Sequence, residues 1–278
     1  MTAARVKRGL PRAAPRSILN ERHYDALERI QWARFLSTGQ VRRSAPYPSD
    51  RTAQRGLRGL LDHRLVSAHL QGEALQRETV FTVTARGLEA LAAAVRLEGP
   101  LPPPTRIPRP QKLRHALAIR DVFCAYLVAE REGHLDLVDF HFDSDLAGDA
   151  RFQAAGLVPD AVVVTERGGG RTTAGIEVDL GTEPTRVLRD KFDRWRQILS
   201  AATVAAAAAP TTLIVTAARP TRRATIQRLV EDAGVGAVTK VVLATELPGL
   251  LRADVADAPT PPEARAAPED APVRFRVL

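Results

Sequence analysis

Gly175-Ile176-Glu177-Val178-Asp179-Leu180-Gly181 is the stretch of sequence that decides the fold of the rear half of the chain. Apolar and acidic residues alternate strictly along it, and successive side chains of a β-strand point to opposite faces of the sheet. The stretch therefore predicts a strand with Ile176, Val178 and Leu180 on one face and with Glu177 and Asp179 on the other. Because two adjacent carboxylates repel each other, we expect either water or a cation beside them.

A lysine on the next predicted helix is the first candidate for that cation. Residues 185–201 carry an apolar stripe at helical spacing, made of Val187, Leu188, Phe192, Trp195, Ile198 and Leu199. Lys191 falls inside this stripe, and an ammonium group is costly to remove from water unless it finds an anion. We expect Lys191 to contact the Glu177 and Asp179 pair, either as a structural ion pair or as part of a working site.

A divalent metal ion is the second candidate. Carboxylate oxygens are the ligands that Mg²⁺ and Mn²⁺ prefer. A third carboxylate, Asp160, stands near the start of the apolar stretch 157–164, which predicts a neighbouring strand. We expect Asp160 to complete a cation site together with Glu177 and Asp179.

Strand and helix patterns alternate through residues 111–253 and predict an α/β domain. The predicted strands cover residues 137–142, 157–164, 173–180, 211–216 and 240–243. The predicted helices cover residues 111–132, 185–201 and 221–232. The first three strands are expected to form a meander, and the intervening helices predict crossovers to the last two strands.

Residues 20–97 predict three helices, a β-hairpin and one more helix. The helices are expected at 20–36, 38–43 and 48–61, with Asn20 and either Ser49 or Asp50 as N-caps. The hairpin strands are expected at 64–69 and 79–84, and Thr84 caps a final helix over 85–97. Three helices followed by a hairpin is the order of a winged helix–turn–helix domain.

The third predicted helix has one face suited to DNA. At about 100° per residue, one side collects three arginines and a glutamine, namely Arg51, Gln54, Arg55 and Arg58. Such side chains on a helix in the major groove bind phosphates and guanine edges. Arg42 and Arg43 of the preceding helix are further candidates. The alternative is a winged helix that binds protein and keeps a solvated arginine face.

Charge is distributed unevenly along the chain of 278 residues. Residues 1–115 hold 21 basic and 9 acidic groups (+12), and residues 116–278 hold 19 and 23 (−4). A cationic front half indicates a module that binds a polyanion. Composition also predicts a flexible basic arm at 1–19, a proline-rich linker at 98–110 and a mostly disordered tail at 254–278.

Cysteine count and hydropathy exclude several classes of protein. The single cysteine, Cys124, allows no disulfide within the chain and no cysteine-rich zinc site. Arg5-Val6-Lys7-Arg8 is not followed by an apolar run, so no secretory signal is expected. The alanine-rich stretch at residues 201–210 is too short to span a bilayer. We expect a cytoplasmic protein with no membrane partner.

Several segments resemble the replication-relaxation proteins of plasmids and other mobile elements. They are His115-Ala116-Leu117-Ala118-Ile119-Arg120-Asp121, Val158-Pro159-Asp160, Ile176-Glu177-Val178-Asp179-Leu180-Gly181-Thr182-Glu183, and Lys191 with Trp195. The Glu-x-Asp-Leu-Gly-Thr-Glu segment with its downstream lysine is the most specific part. The resemblance extends over residues 20–200 and includes Thr84-Ala85-Arg86-Gly87 after the hairpin.

The resemblance implies a role in DNA relaxation and replication. It also implies a rear domain similar to the PD-(D/E)xK restriction-endonuclease-like fold, in which two carboxylates hold Mg²⁺ and a lysine activates water. Asp160 matches the first motif position and Glu177 the second, so the resemblance implies that these two residues bind Mg²⁺ or Mn²⁺. Asp179 stands where the motif has its lysine, and Lys191 would replace that lysine from the following helix. The resemblance therefore implies a catalytic site of Asp160, Glu177, Asp179 and Lys191.

Two main hypotheses for function follow. In the first, a DNA-binding protein of a plasmid or mobile element nicks or cleaves double-stranded DNA with Mg²⁺ or Mn²⁺. In the second, a non-catalytic accessory protein or transcriptional regulator binds DNA through the winged helix. Its inactive nuclease-like domain would recruit replication, relaxation or transposition proteins. A third hypothesis is a winged-helix transcriptional regulator whose rear domain senses a ligand. A homodimer is compatible with each of these hypotheses.

Overall fold

A computed structural model describes residues 19–70, 78–94, 105, 107–202 and 209–253. The chain divides into two compact units, with the boundary between Ile107 and Pro108. Both units contain helices and strands, so the mixed class of α and β structure predicted from the sequence is confirmed. The predicted tail, most of the predicted linker and all but one residue of the predicted arm lie outside the described residues.

The front unit consists of helices and a small antiparallel sheet. Its helices are α1 (Glu21–Trp32), α2 (Thr38–Ser44), α3 (Asp50–Asp62) and α4 (Ala85–Ala93). Its strands are β1 (Leu36–Ser37), β2 (Val66–Leu70) and β3 (Thr79–Val83), in the order β1-β3-β2. The predicted helices and hairpin strands follow one another as expected, but an unpredicted strand, β1, stands between the first two helices. Residues 95–97 of the last predicted helix lie outside the described part.

The predicted end of the first helix was wrong. The helix ends at Trp32 rather than near Leu36, because Arg34 adopts a left-handed backbone (φ 68°) that stops it. The chain then forms β1, in which Leu36 pairs with Phe81 of β3. The apolar residues Ala33, Phe35 and Leu36 are buried, but only Leu36 belongs to the sheet.

Side-chain caps fix the beginnings of the front helices, as the sequence predicts. The Asn20 side chain accepts from the His23 amide, and Ser49 Oγ accepts from the Thr52 amide at 3.3 Å. Thr84 Oγ1 accepts from the Gly87 amide at 3.1 Å. These contacts satisfy amide groups that have no partner within the helix.

The rear unit is built on a five-stranded mixed sheet. Its strands are β4 (Asp136–Phe142), β5 (Ala161–Arg167), β6 (Gly170–Asp179), β7 (Thr212–Ala217) and β8 (Thr239–Leu243). Strands β4, β5 and β6 form an antiparallel meander, and β7 and β8 continue the sheet in parallel with β6. The predicted meander and the two later crossovers are confirmed.

Six helices accompany this sheet in the described residues. They are α5 (Pro110–Arg131), α6 (Asp143–Leu146), α7 (Ala150–Ala154), α8 (Thr185–Ala202), α9 (Pro220–Asp232) and α10 (Leu247–Arg252). The sequence predicted α5, α8 and α9, whereas α6, α7 and α10 are too short to show a periodic pattern. Leu188, Phe192 and Trp195 of α8 are buried in one cluster with Leu213 and Val215 of β7.

The predicted start of the strand at residue 157 was wrong, and the error concerns a candidate site residue. Strand β5 begins at Ala161, because Pro159 has no amide hydrogen to give to a sheet. Asp160 therefore lies just before the strand, where its carbonyl accepts from the Asp143 amide. Its side chain sits at the end of β5 that pairs with Ile176 of β6.

Candidate functional site

The exposed side of α3 is the first candidate site, because its polar side chains point away from the core. Arg51, Gln54, Arg55 and Arg58 are exposed, while Ala53, Leu57 and Leu60 on the opposite side are buried. Within the described part of the chain, the three guanidinium groups form no hydrogen bond or ion pair. Three positive charges are therefore available on one helix face.

The two arginines of α2 differ from those of α3. Arg42 Nε donates to Asp50 Oδ1 at 2.8 Å, and its guanidinium also bonds to Asp50 Oδ2. Arg43 is exposed on the same helix. Arg42 is thus already paired within the front unit, with the residue that the sequence also offers as a possible N-cap of α3.

Glu177 is the centre of the second candidate site, in the rear unit. Its carboxylate is buried and accepts two hydrogen bonds, from Lys191 Nζ at 2.9 Å and from Trp195 Nε1 at 2.8 Å. Both donors lie on α8, one helical turn apart. The expected contact between Lys191 and the carboxylate pair is therefore present, and Glu177 is the member that makes it.

Gly175 explains how the indole of Trp195 reaches Glu177. A Cβ atom at Gly175 would lie 2.1 Å from Cη2 of Trp195, so only a glycine leaves room for the ring against β6. Trp195 is fully buried and packs edge-on to Phe152. Gly175 thus leaves space for the Trp195 ring against β6. This space lies two residues before Glu177, whose carboxylate accepts the hydrogen bond of the indole.

Asp160 lies beside this pair and has its own partners. His115 Nε2, from α5, is 2.9 Å from Asp160 Oδ1, and the Val178 amide donates to Asp160 Oδ2 at 2.7 Å. The second contact attaches Asp160 to β6 next to Glu177. His115 belongs to the segment that carries the family resemblance, but its contact with Asp160 was not predicted.

Asp179 is separate from the Glu177 and Lys191 contact. Arg222 of α9 binds its carboxylate with two parallel hydrogen bonds, Nε to Oδ2 at 2.7 Å and Nη2 to Oδ1 at 2.9 Å. Arg222 also donates to the Glu183 carbonyl at 2.6 Å. No signal in the sequence distinguished Arg222 from the other arginines of the chain.

Burial and charge shift the pKa values of three groups at the centre of this site. Burial and the nearby Asp160 carboxylate raise the pKa of Glu177 above its ordinary value. Burial opposes the charge of Lys191, but the carboxylates of Glu177 and Asp160 outweigh it and raise the Lys191 pKa. Burial likewise opposes the charge of Asp160, but the contacts with His115 prevail and lower the Asp160 pKa.

The predicted metal ligands do not fit a divalent cation in this arrangement. Each of the four oxygens of Asp160 and Glu177 already accepts a hydrogen bond from the protein. Across the described residues, no three His, Cys, Asp or Glu side chains are grouped to hold a metal. Glu183 Oε2 is buried without a donor, but one oxygen does not make a cation site. Mg²⁺ or Mn²⁺ binding remains a prediction that this arrangement does not favour.

Fold and sites together define the class as a two-unit protein of mixed α and β structure. One unit presents an arginine-bearing helix, and the other encloses a carboxylate–lysine cluster. A model of the replication-relaxation family matches residues 27–214, more than half of the 278 residues, so the chain belongs to that family. Membership indicates a role in the replication or relaxation of plasmid or other mobile-element DNA.

The other comparisons add no relative. No curated protein and no solved structure matches the chain. Of the helices in the described part of the chain, none combines the length and apolar character needed to cross a bilayer.

Proposed function

We propose that this protein binds double-stranded DNA through its front unit, which acts as a winged helix with α3 as the recognition helix. The observation that carries the proposal is the exposed face of α3, on which Arg51, Arg55 and Arg58 have no partner among the described residues. Strands β2 and β3 follow α3 directly, as a wing would. A helix of this kind places its side chains in the major groove.

The chemistry of this face favours a nucleic acid over an acidic protein surface. Arg51, Arg55 and Arg58 lie three and four residues apart, so their guanidinium groups follow one line along the helix. Guanidinium groups bind phosphate oxygens and the edge of guanine, and Gln54 can bind adenine. The +12 charge of residues 1–115 adds attraction that does not depend on DNA sequence.

The proposal is tested by the salt dependence of binding to a duplex of mixed sequence. The triple variant Arg51→Ala/Arg55→Ala/Arg58→Ala should make the log–log plot of affinity against salt concentration less steep. The expected reduction in slope is about 0.9 for each of the three arginines that contacts a phosphate. Arg186→Ala/Arg189→Ala/Arg228→Ala is the matched control, because it removes the same charge from exposed positions of the rear unit. Equal slopes for the two triple variants would contradict docking through α3.

We propose that the rear unit has a nuclease-like architecture and serves as a non-catalytic accessory domain. The supporting observation is that the Asp160 and Glu177 oxygens are occupied by His115, Val178, Lys191 and Trp195. A cation would have to compete with these donors, and displacing Lys191 would leave its ammonium without Glu177. The accessory domain would then recruit replication, relaxation or transposition proteins to the bound DNA.

A nicking assay on supercoiled plasmid separates this role from the catalytic one. The wild type, Glu177→Gln and Asp193→Asn are each incubated with Mg²⁺ and with Mn²⁺, the last variant being a control at a half-exposed carboxylate of α8. We expect no nicking above background in any sample. Nicking by the wild type and Asp193→Asn that is lost in Glu177→Gln would overturn the accessory role and support cleavage at this site.

A further inference from the structure

Two arginines of the front unit share an unusual backbone conformation. Arg34 (φ 68°) and Arg64 (φ 59°) have positive φ, whereas every other described residue with positive φ is a glycine. Each stands directly after the last turn of a helix, α1 for Arg34 and α3 for Arg64. Glycine and, less often, asparagine are usual at this position, because a Cβ atom is strained in the left-handed region.

Local hydrogen bonds impose this conformation at Arg64. Its amide donates to the Leu61 carbonyl and the Leu65 amide donates to the Leu60 carbonyl, both at 2.9 Å. Thr84 Oγ1 also donates to the Arg64 carbonyl at 2.7 Å. The backbone therefore turns here whatever the side chain is, and an arginine is not needed to form the turn.

The two arginines differ in their surroundings. Arg34 is half-buried and takes part in a further interaction within the chain. Arg64 is exposed, and within the described residues its guanidinium has neither a hydrogen bond nor an ion pair. The described contacts therefore give no structural reason for an arginine at position 64, where glycine would be less strained.

We infer that Arg64 is a DNA-phosphate contact that extends the basic face of α3 beyond the C-terminal end of that helix. The inference rests on the proposed function of α3. Asp62, exposed in the last turn of α3, would repel a phosphate backbone passing this end. Arg64 supplies a cation two residues later, and its guanidinium is free to bind a phosphate oxygen with a charge-assisted hydrogen bond.

Substitution of Arg64 by glycine should change stability and DNA binding in opposite directions. Arg64→Gly removes the strain, and the greater freedom of glycine in the unfolded chain offsets only part of this gain, so the melting temperature of the protein should rise by about 2–4 °C. The same variant loses one phosphate contact, so the log–log slope of duplex affinity against salt should fall by about 0.9. A folding defect would lower the melting temperature and is thereby distinguished from loss of the contact.

Two control variants complete the test. Arg64→Lys keeps the charge and should retain the wild-type slope, and Arg34→Gly should also retain it. An unchanged slope in Arg64→Gly, with a reduced slope in Arg51→Ala/Arg55→Ala/Arg58→Ala, would overturn the role of Arg64 and leave the proposed function standing. An unchanged slope in both would instead overturn DNA binding through α3.

Discussion

Charged residues serve opposite purposes in the two units of this protein. On α3, Arg51, Arg55 and Arg58 are exposed and have no partner in the described residues. In the rear unit, Lys191 and Arg222 each bind a carboxylate that is almost completely buried. The arginines of α3 are available to bind a ligand, whereas Lys191 and Arg222 bind carboxylates within the fold.

The comparison shows that a charge must be judged by its surroundings and not by its residue type. Burying an ion is costly, and a buried pair compensates this cost only when its hydrogen bonds are complete. Glu177 and Asp179 meet that condition through donors on α8 and α9. An exposed arginine meets no such requirement, so its contribution is to binding more than to stability.

The largest expected effect comes from removing one matched arginine from each unit. Arg222→Ala leaves the buried Asp179 carboxylate without its cation and should lower the free energy of unfolding by about 3–5 kcal/mol. Arg51→Ala should leave the free energy of unfolding nearly unchanged, because its side chain is exposed. Urea unfolding of both variants measures the difference. Similar losses of unfolding free energy in the two variants would contradict the distinction drawn between the two units.

A double-mutant cycle at Lys191 and Glu177 is the next test. Lys191→Met leaves Glu177 buried with only the Trp195 donor, and we expect a loss of about 3 kcal/mol. Glu177→Gln keeps an oxygen for the Trp195 Nε1 hydrogen and should cost less. The double variant should be more stable than the sum of the two single losses implies. Strictly additive losses, measured by urea unfolding, would show that the two side chains are not coupled.

The sequence was sufficient to predict features that depend on local periodicity. The strict alternation around Glu177 and Asp179 predicted β6 and placed both carboxylates on one face. The apolar stripe of residues 185–201 predicted that Lys191 meets one of them, and Lys191 does bind Glu177. The same logic assigned Arg51, Arg55 and Arg58 to the side of α3 that is exposed.

Features that depend on distant residues were not predictable in the same way. Arg222 lies 43 residues after Asp179, and His115 lies 45 residues before Asp160. No periodic pattern connects such positions, because the sheet and helix packing bring them together. The apolar stretch 157–164 predicts a strand that includes Asp160, but Pro159 delays the start of β5 to Ala161.

A smaller effect is expected from filling the slot that holds Trp195. In Gly175→Ala the new Cβ would meet Cη2 of Trp195 at 2.1 Å, so the indole must move away from β6. Such overpacking should lower the free energy of unfolding by about 1–3 kcal/mol. Fluorescence in a Trp32→Phe background reports on Trp195 alone, since the chain has two tryptophans. An unshifted emission spectrum would mean that the ring keeps its place beside Glu177.

The smallest effect concerns pH and the contact between His115 and Asp160. The hydrogen bond that His115 Nε2 donates to the Asp160 carboxylate raises the pKa of His115 above 6.5, so the stabilising contribution of His115 is complete below pH 6.5 and is lost as pH rises through its folded-state pKa. The pKa of Asp160 is lowered from 3.8, so its contribution is present above that pH and disappears in stronger acid. His115→Gln should therefore flatten the decline in rear-unit stability above pH 6.5.

Another histidine pair sets the control for this measurement. His141 contacts Asp139 at 3.0 Å, and that hydrogen bond raises the His141 pKa, giving a decline of the same sign. His141→Gln should remove only the part of the decline that His141 causes. The stability of the double variant His115→Gln/His141→Gln should change least with pH. Urea unfolding from about pH 5.5 to about pH 8.5 measures the slopes. Equal slopes in His115→Gln and the wild type would mean that His115 holds Asp160 in place without its charge.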